Sequence, residues 1–339
     1  MDAYLGIDVG SVTTKLVVLD RDYKVHDSLY LRTRGKPLEV VQQGLREIKQ
    51  RLAGDMQISG VGTTGSGRYL AGAVVGADVI KNEITAHAVA ASHFVPGVQT
   101  IIEIGGQDSK IIILRDGVAV DFAMNTVCAA GTGAFLDQQA ARLNIDITNV
   151  GELAMQSKTP VRIAGRCTVF AESDMIHKQQ MGHRVPDILY GLCQAMARNY
   201  LNNVGLGKEV RERVVFQGGV AFNQGMIRAF QEALNVQVHV PPYHEVMGAI
   251  GAGMLAHEAA LWSGRASQFK GFQVSEQSYR TTSFECHHCT NHCEIVQVTV
   301  NKQLVARWGG RCERWEITDA IHQSVAPETE PNCETCEPA

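Results

Sequence analysis

The chain has 339 residues, of which 45% are hydrophobic and 19% charged, enough for two domains of ordinary size with buried cores. Its 31 Lys and Arg against 35 Asp and Glu leave a net charge of -4, which offers no electrostatic handle to nucleic acid or to an anionic membrane. No apolar run reaches the roughly 18 residues of a membrane-crossing helix, and the opening MDAYLGIDVG enters a strand at once, so the expectation is no signal peptide and a reducing cytoplasm for the nine cysteines.

In chain order, YLGIDVG and TTKLVVLD read as two strands around a Gly-Ser turn, and YKVHDSLYLRT as a third. PLEVVQQGLREIKQRL has helical spacing, with Val41, Leu45, Ile48 and Leu52 on one face. ISGVGTTGSGR is a strand followed by a glycine-rich loop, and NEITAHAVAASHF is a helix. The pattern then restarts. QTIIEIGGQDSKIIILRDGVAVDFAM alternates strands with a glycine turn and an Asp-Gly turn, and helices follow near 133–143, 169–181 and 186–204. RVVFQGGVAF is a strand ending in a glycine pair, followed by a helix over 224–234, a short strand VQVHVPP and the small-residue helix HEVMGAIGAGMLAHEAAL. The fold class is therefore α/β with a duplicated architecture: a first half over 1–95 and a second over 96–265. Residues 266–339 form a Cys-rich extension whose polar tail is expected to be loose unless metal holds it.

Three loops have the chemistry of phosphate cradles. GIDVGSVTTK offers Asp8, Gly10, Ser11, Thr13, Thr14 and Lys15. EIGGQDSK repeats the idea with Glu103, Gly105, Gly106, Gln107, Asp108 and Lys110, and FQGGVAFNQG adds Gly218, Gly219 and Asn223. Glycine lets backbone N–H groups approach phosphate oxygens, hydroxyls add donors and lysine adds a point charge. None is a Walker A loop. Any one of them is equally a tight turn; three at strand ends in two matching halves argue for nucleotide.

This arrangement resembles the actin, heat-shock ATPase and sugar-kinase superfamily, whose ribonuclease H-like halves close on a nucleotide cleft. The resemblance implies ATP/ADP with Mg²⁺. It makes Asp8 and Asp108 the organisers of Mg²⁺ and the attacking water, with Glu103 beside them. It puts Gly218, Gly219 and Asn223 on the nucleoside side.

Two lone cysteines, Cys128 and Cys167, each precede a helix. A helix N-terminus lowers a thiolate's pKa and favours an anionic ligand. A [4Fe–4S] cluster takes four thiolates, so two such pairs in a symmetric dimer would complete one. Two inert core cysteines fit the same spacing. MNTVCAAGTGAFLD, CTVFAESDMI, IGGQDSK, NEITAHA and QGGVAFN together resemble the BadF/BadG/BcrA/BcrD ATPase family, over about residues 4–262. The resemblance implies a homodimer sharing one [4Fe–4S] cluster through Cys128 and Cys167. It also implies an ATP-driven one-electron reductase fed by ferredoxin or flavodoxin. The acceptor would be an iron–sulfur enzyme such as a 2-hydroxyacyl-CoA dehydratase or an aryl-CoA reductase. Glu103 in place of an aspartate, and Ser66 in place of an aromatic, depart mildly from that pattern.

Cys286, Cys289 and Cys293, with Cys312 further on, have metal-ligand spacing. With His287, His288 and His292 among them, a zinc ion and a second iron–sulfur cluster are both open. Cys333 and Cys336 form another close pair without an assigned role. Cys193 and His87 read as packing residues, and the glycines of MGAIGAGM as helix-packing contacts. Two other functions remain from different classes: a small-molecule kinase of the same superfamily, and a nucleotide-switched binding module with structural zinc.

Overall fold

The computed structural model describes residues 1–54, 56–125, 131–165, 167–300, 302–312, 314–315 and 317–318. Cys128, Cys333 and Cys336 lie outside the described residues. Two compact units are present, Met1–Ser275 and Glu276–Ala339. The first runs past the boundary expected near 265 because the following segment is tied down. Asp78 accepts the Ser267 hydroxyl at 2.6 Å and the Gln268 N–H at 2.7 Å, and Arg46 donates to the Ser275 carbonyl at 2.7 Å.

The first unit opens with an antiparallel meander of β1 (Asp2–Val9), β2 (Thr13–Leu19) and β3 (Val25–Arg32), followed by α1 (Pro37–Arg51). Then β4 (Gln57–Thr64) returns parallel to β1, and α2 (Arg68–Val75), β5 (Val79–Ile80) and α3 (Glu83–Phe94) complete the first half. The second half repeats this with β6 (Thr100–Ile104), β7 (Ser109–Arg115) and β8 (Val118–Asn125). After α4 (Gly133–Arg142), α5 (Val150–Met155), α6 (Thr168–Gln180) and α7 (Val185–Asn203) come β9 (Val214–Gln217), α8 (Gln224–Leu234), β10 (Val238–His239) and α9 (Met247–Ser263). The strand orders are β3-β2-β1-β4-β5 and β8-β7-β6-β9-β10, the same order twice. The sequence reading misses α2 and α5. Gly72 interrupts the helical signal of α2, where it sits so close to Ile80 that a Cβ would meet Ile80 Cδ1 at 2.6 Å. The other missed helix, α5, is only 6 residues long.

Strand alternation divides the second sheet between two cores. Ile102, Ile104, Ile111, Ile113, Val214 and Phe216 face a cluster with Phe135, Ile188, Tyr200 and Phe230, from the helices of the second half. Ile101, Ile112, Leu114 and Val215 face Ile84, Ala88 and Ala91 of α3. Each fully buried Ile or Phe contributes about 1.5–3 kcal/mol. So α3, the last helix of the first half, covers the second sheet, while α9, the last helix of the second half, lies on the first. Close approach makes this crossing fit. A Cβ at Gly6 or Gly62 would meet the Ala249 or Ala252 carbonyl at 1.8 or 2.0 Å, and one at Gly251 would meet the Ala86 carbonyl at 1.9 Å. The halves are therefore sequential in strands but exchanged in their final helices. Among the described residues no helix is long and apolar enough to cross a membrane.

The second unit is an antiparallel sheet of β11 (Tyr279–Glu285), β12 (Glu294–Val300), β13 (Gln303–Trp308) and β14 (Ile317–Thr318), in that order. Its buried hydrophobic side chains among the described residues are Cys286, Ile295, Val298 and Ala306.

Candidate functional site

The duplication extends to the charged pairs. The β1–β2 register sets Asp8 opposite Lys15, and the β6–β7 register sets Glu103 opposite Lys110. Glu103 is thus the counterpart of Asp8, and the two acids end equivalent strands.

Asp8 shares its face of β1 with Gly6 and so points toward α9. A Cβ at Gly248 would meet Asp8 Oδ2 at 2.8 Å, and one at Gly65, which has φ +86°, would meet Oδ1 at 2.5 Å. Lys15 Nζ donates to Asp8 Oδ2 at 3.0 Å. Burial works to raise the Asp8 carboxyl, but the Lys15 ammonium, with Lys110 further off, outweighs it and holds the group below its ordinary value. Burial works against the Lys15 ammonium, and Asp8 reverses that, so Lys15 stays above its ordinary value. Of the loop hydroxyls, Ser11 is exposed at the tip, whereas Thr14 is turned inward onto the Thr33 hydroxyl at 3.0 Å. Thr13 is also buried.

Lys110, expected at a phosphate, is the hub of an acid cluster. Its Nζ donates to Asp108 Oδ2 at 2.7 Å and Glu103 Oε2 at 3.0 Å, and stands 3.5 Å from Glu83 Oε2. The three acids hold its pKa above the ordinary value although burial opposes charge. Burial raises Glu103 and Glu83 above their ordinary values, partly offset by Lys110. Glu83 is absent from the sequence-derived set; its acidic first-turn position in NEITAHA was the available signal. Among the described residues, Asp8, Glu83, Glu103 and Asp108 thus stand against Lys15 and Lys110. That surplus of negative charge suits a hard dication such as Mg²⁺, held by carboxylates, water and phosphate oxygens together. His87, beside them, is buried and bonded to Gln217 at 2.8 Å; burial lowers it to about 4, so it is neutral.

The glycine loops meet. A Cβ at Gly106 would meet Val12 Cβ at 2.7 Å, and Gln107 is exposed beside it. Gly105 and Gly106 also accept the first N–H groups of α4: Gly133 N–H to Gly105 O at 2.9 Å and Ala134 N–H to Gly106 O at 2.8 Å. At the third loop Gly218 has φ +91° and backs onto the Ile104 carbonyl and Glu103. A Cβ at Gly219 would meet the Tyr30 hydroxyl at 2.7 Å. Asn223 caps α8, its Oδ1 accepting the Met226 N–H at 3.1 Å. Exposed Phe222 packs edge-on against His244 at 4.4 Å, so Tyr30, Phe222 and His244 are aromatic neighbours of this loop that the sequence reading did not select.

Cys167 occupies the N-cap of α6, and its carbonyl accepts the Ala171 N–H at 2.9 Å; Thr168 is the first helical residue. Its pocket is lined by Phe135, Ala171 and Met196. Cys193 is core, with burial raising its thiol to about 12. In the second unit, Cys286 is buried, Cys293 half-buried, and Cys289 and Cys312 exposed.

The model of the BadF/BadG/BcrA/BcrD ATPase family matches residues 5–256. This chain belongs to that family. Similar members include the (R)-2-hydroxyglutaryl-CoA dehydratase activating ATPase of Acidaminococcus fermentans, 37% identical over 262 residues, covering 76% of this chain and 97% of that one. The activator of lactoyl-CoA dehydratase of Anaerotignum propionicum is 36% identical, with coverages of 76% and 98%. The solved activator of the 2-hydroxyisocaproyl-CoA dehydratase from Clostridium difficile with bound ADPNP superposes with a TM-score of 0.69 at 33% identity, covering 77% of this chain and 97% of that chain. The BadF/BadG/BcrA/BcrD match ends ahead of the second unit.

Proposed function

We propose that this protein is an ATP-hydrolysing reductive activator, a homodimer that delivers single low-potential electrons to a partner iron–sulfur enzyme. Its relatives' names point to 2-hydroxyacyl-CoA dehydratases as the partner class; an aryl-CoA reductase fits the same chemistry. Asp8, Glu103 and Asp108 position Mg²⁺ and the attacking water. Lys15 keeps Asp8 ionised, and Lys110 orients Glu103 and Asp108. Backbone groups of Gly10, Gly105, Gly106, Gly218 and Gly219 line the path of the nucleotide, and exposed Ser11 and Gln107 supply donors at the loop tips. A [4Fe–4S] cluster held by Cys128 and Cys167 of both subunits would store and release the electron, with ferredoxin or flavodoxin as donor.

The observation that carries this reading is the bonding of α4 to the second glycine loop, Gly133 to Gly105 and Ala134 to Gly106. Displacement of that loop by nucleotide is passed directly to the helix that follows Cys128. ATP drives a redox step only if its states prefer different arrangements of the redox element, and this link offers a route for that coupling. A second copy is supported by β8, an edge strand with exposed Val118, Val120, Phe122 and Met124, and by exposed Val169 and Phe170 just after Cys167.

The test is anaerobic purification of the full chain with iron, sulfide and mass measured together. One four-iron cluster per dimer is expected, lost in Cys128→Ser and Cys167→Ser while nucleotide binding persists. Iron-free wild-type protein that passes phosphate to a small acceptor would overturn the reading in favour of a kinase.

A further inference from the structure

The tip of the β11–β12 hairpin gathers three donors beside the sulfurs that the sequence favours. Strand alternation sends neighbouring side chains to opposite faces. Cys286 turns inward, where its Sγ accepts the Trp315 indole N–H at 3.1 Å, while Glu285 and His287 are exposed. The Cys286 N–H donates to the Cys293 carbonyl at 2.8 Å and the His292 N–H to the Cys289 carbonyl at 3.3 Å, which closes the turn. His292 has φ +45°, uncommon for a residue with a Cβ. That conformation brings its Nδ1 within 2.5 Å of Glu285 Oε1, and His287 Nδ1 lies 3.7 Å from the same oxygen. All three donor atoms lie within 4.8 Å of one another, and among the described residues this is the group of three or more His, Cys, Asp or Glu donors gathered so closely. It contains no sulfur.

Metal–donor bonds of about 2.0–2.2 Å in a tetrahedron set neighbouring donors about 3.3–3.5 Å apart. The two separations here bracket that edge. We infer that the hairpin tip binds one divalent ion of the zinc class through Glu285, His287 and His292, with water completing its coordination. The two imidazoles are borderline donors and, beside one hard carboxylate, favour Zn²⁺, Co²⁺ or Ni²⁺ over Mg²⁺ and Ca²⁺. The unit has a reason to use such an ion. Its described apolar core comprises Ile295, Val298 and Ala306 with Cys286, and small modules with so little core are commonly stapled by metal. This site is independent of the ATPase reading.

Co²⁺ titrated into the full-length anaerobic protein, saturated with Mg²⁺ and ADP, reads the site by its spectrum. Wild type minus His292→Ala should show one equivalent of cobalt with weak d–d bands and no sulfur charge-transfer band. Affinity should fall about tenfold or more in His287→Ala, His292→Ala and Glu285→Gln, and stay unchanged in Cys289→Ser. In wild type, Zn²⁺ should protect His287 and His292 from diethyl pyrocarbonate, read by peptide mass, a measurement that needs no variant to fold. Absence of that protection, or a cobalt equivalent with strong sulfur charge transfer that survives both histidine variants, overturns the inference.

Discussion

Arg142 at the end of α4 meets Glu172 of α6 at 2.6 Å, and Gln139 donates to the same carboxylate at 3.3 Å. One side chain thus ties together the helix that begins at Cys167 and the helix that follows Cys128. Arg142 is 43% exposed and Glu172 25%, so the pair contributes about 0–1 kcal/mol to folding. Glu172→Gln should therefore leave urea stability within about 1 kcal/mol of wild type yet shorten the half-life of bound iron in the presence of a chelator. An unchanged iron half-life would mean that the tie is idle.

Two glycines of α9 should separate chemistry from stability. Gly248→Ala presses on Asp8 Oδ2, which a Cβ would meet at 2.8 Å. ATP turnover should drop by about tenfold or more, with a melting temperature near wild type. Gly251→Ala drives a Cβ into the Ala86 carbonyl at 1.9 Å, a backbone collision that should cost about 3 kcal/mol or more. Equal behaviour of the two variants in calorimetry would contradict the placement of α9.

Lys110→Met leaves Glu103 and Asp108 facing each other with Glu83 close by. Removing the cation of a buried ion cluster costs about 3–5 kcal/mol. Added Mg²⁺ should recover part of that loss, and more of it than in wild type, as read by the shift in thermal unfolding.

His87 makes stability depend on pH. Its folded value of about 4 lies below the ordinary 6.5, chiefly through burial and then through Lys110. Between those values the unfolded chain binds a proton that the folded chain refuses. Stability is therefore full above pH 6.5 and declines as the pH falls toward 4, by about 3 kcal/mol in all. The raised Glu83 and Glu103 carboxyls act in the opposite sense, so the comparison is wild type against His87→Gln. Urea midpoints measured from pH 7 to 5 should fall more steeply in wild type.

Cys193 and Cys167 should differ in reactivity. With its thiol pushed to about 12, Cys193 should resist iodoacetamide at pH 8 in the folded protein, and Cys193→Ala should keep its iron. Cys167→Ala should lose it. Iron analysis and mass mapping decide both.

Much of this was legible in the residues. IIEI and KIIIL are buried on both faces and read as strands because β-branched side chains leave few alternatives. The glycine loops, the helix start near Cys167 and the core role of Cys193 follow from local pattern. The exchange of α3 and α9 is not local, and it brings Glu83 and His87 to the acids of the other half. The same limit explains Lys110, which looks like a free cation until three carboxylates arrive from separate elements. Asn223 and Thr14 also hold structural contacts that local pattern does not reveal, a helix cap through Asn223 Oδ1 and a hydroxyl pair of Thr14 with Thr33.

The crossed helices also govern how the polypeptide can be divided. A break between Phe94 and Thr100 would leave each fragment carrying the helix that covers one face of its neighbour's sheet, with that face of its own sheet bare. Such pieces should be sticky when separate and sound when mixed, reassembling into a nicked but complete ATPase.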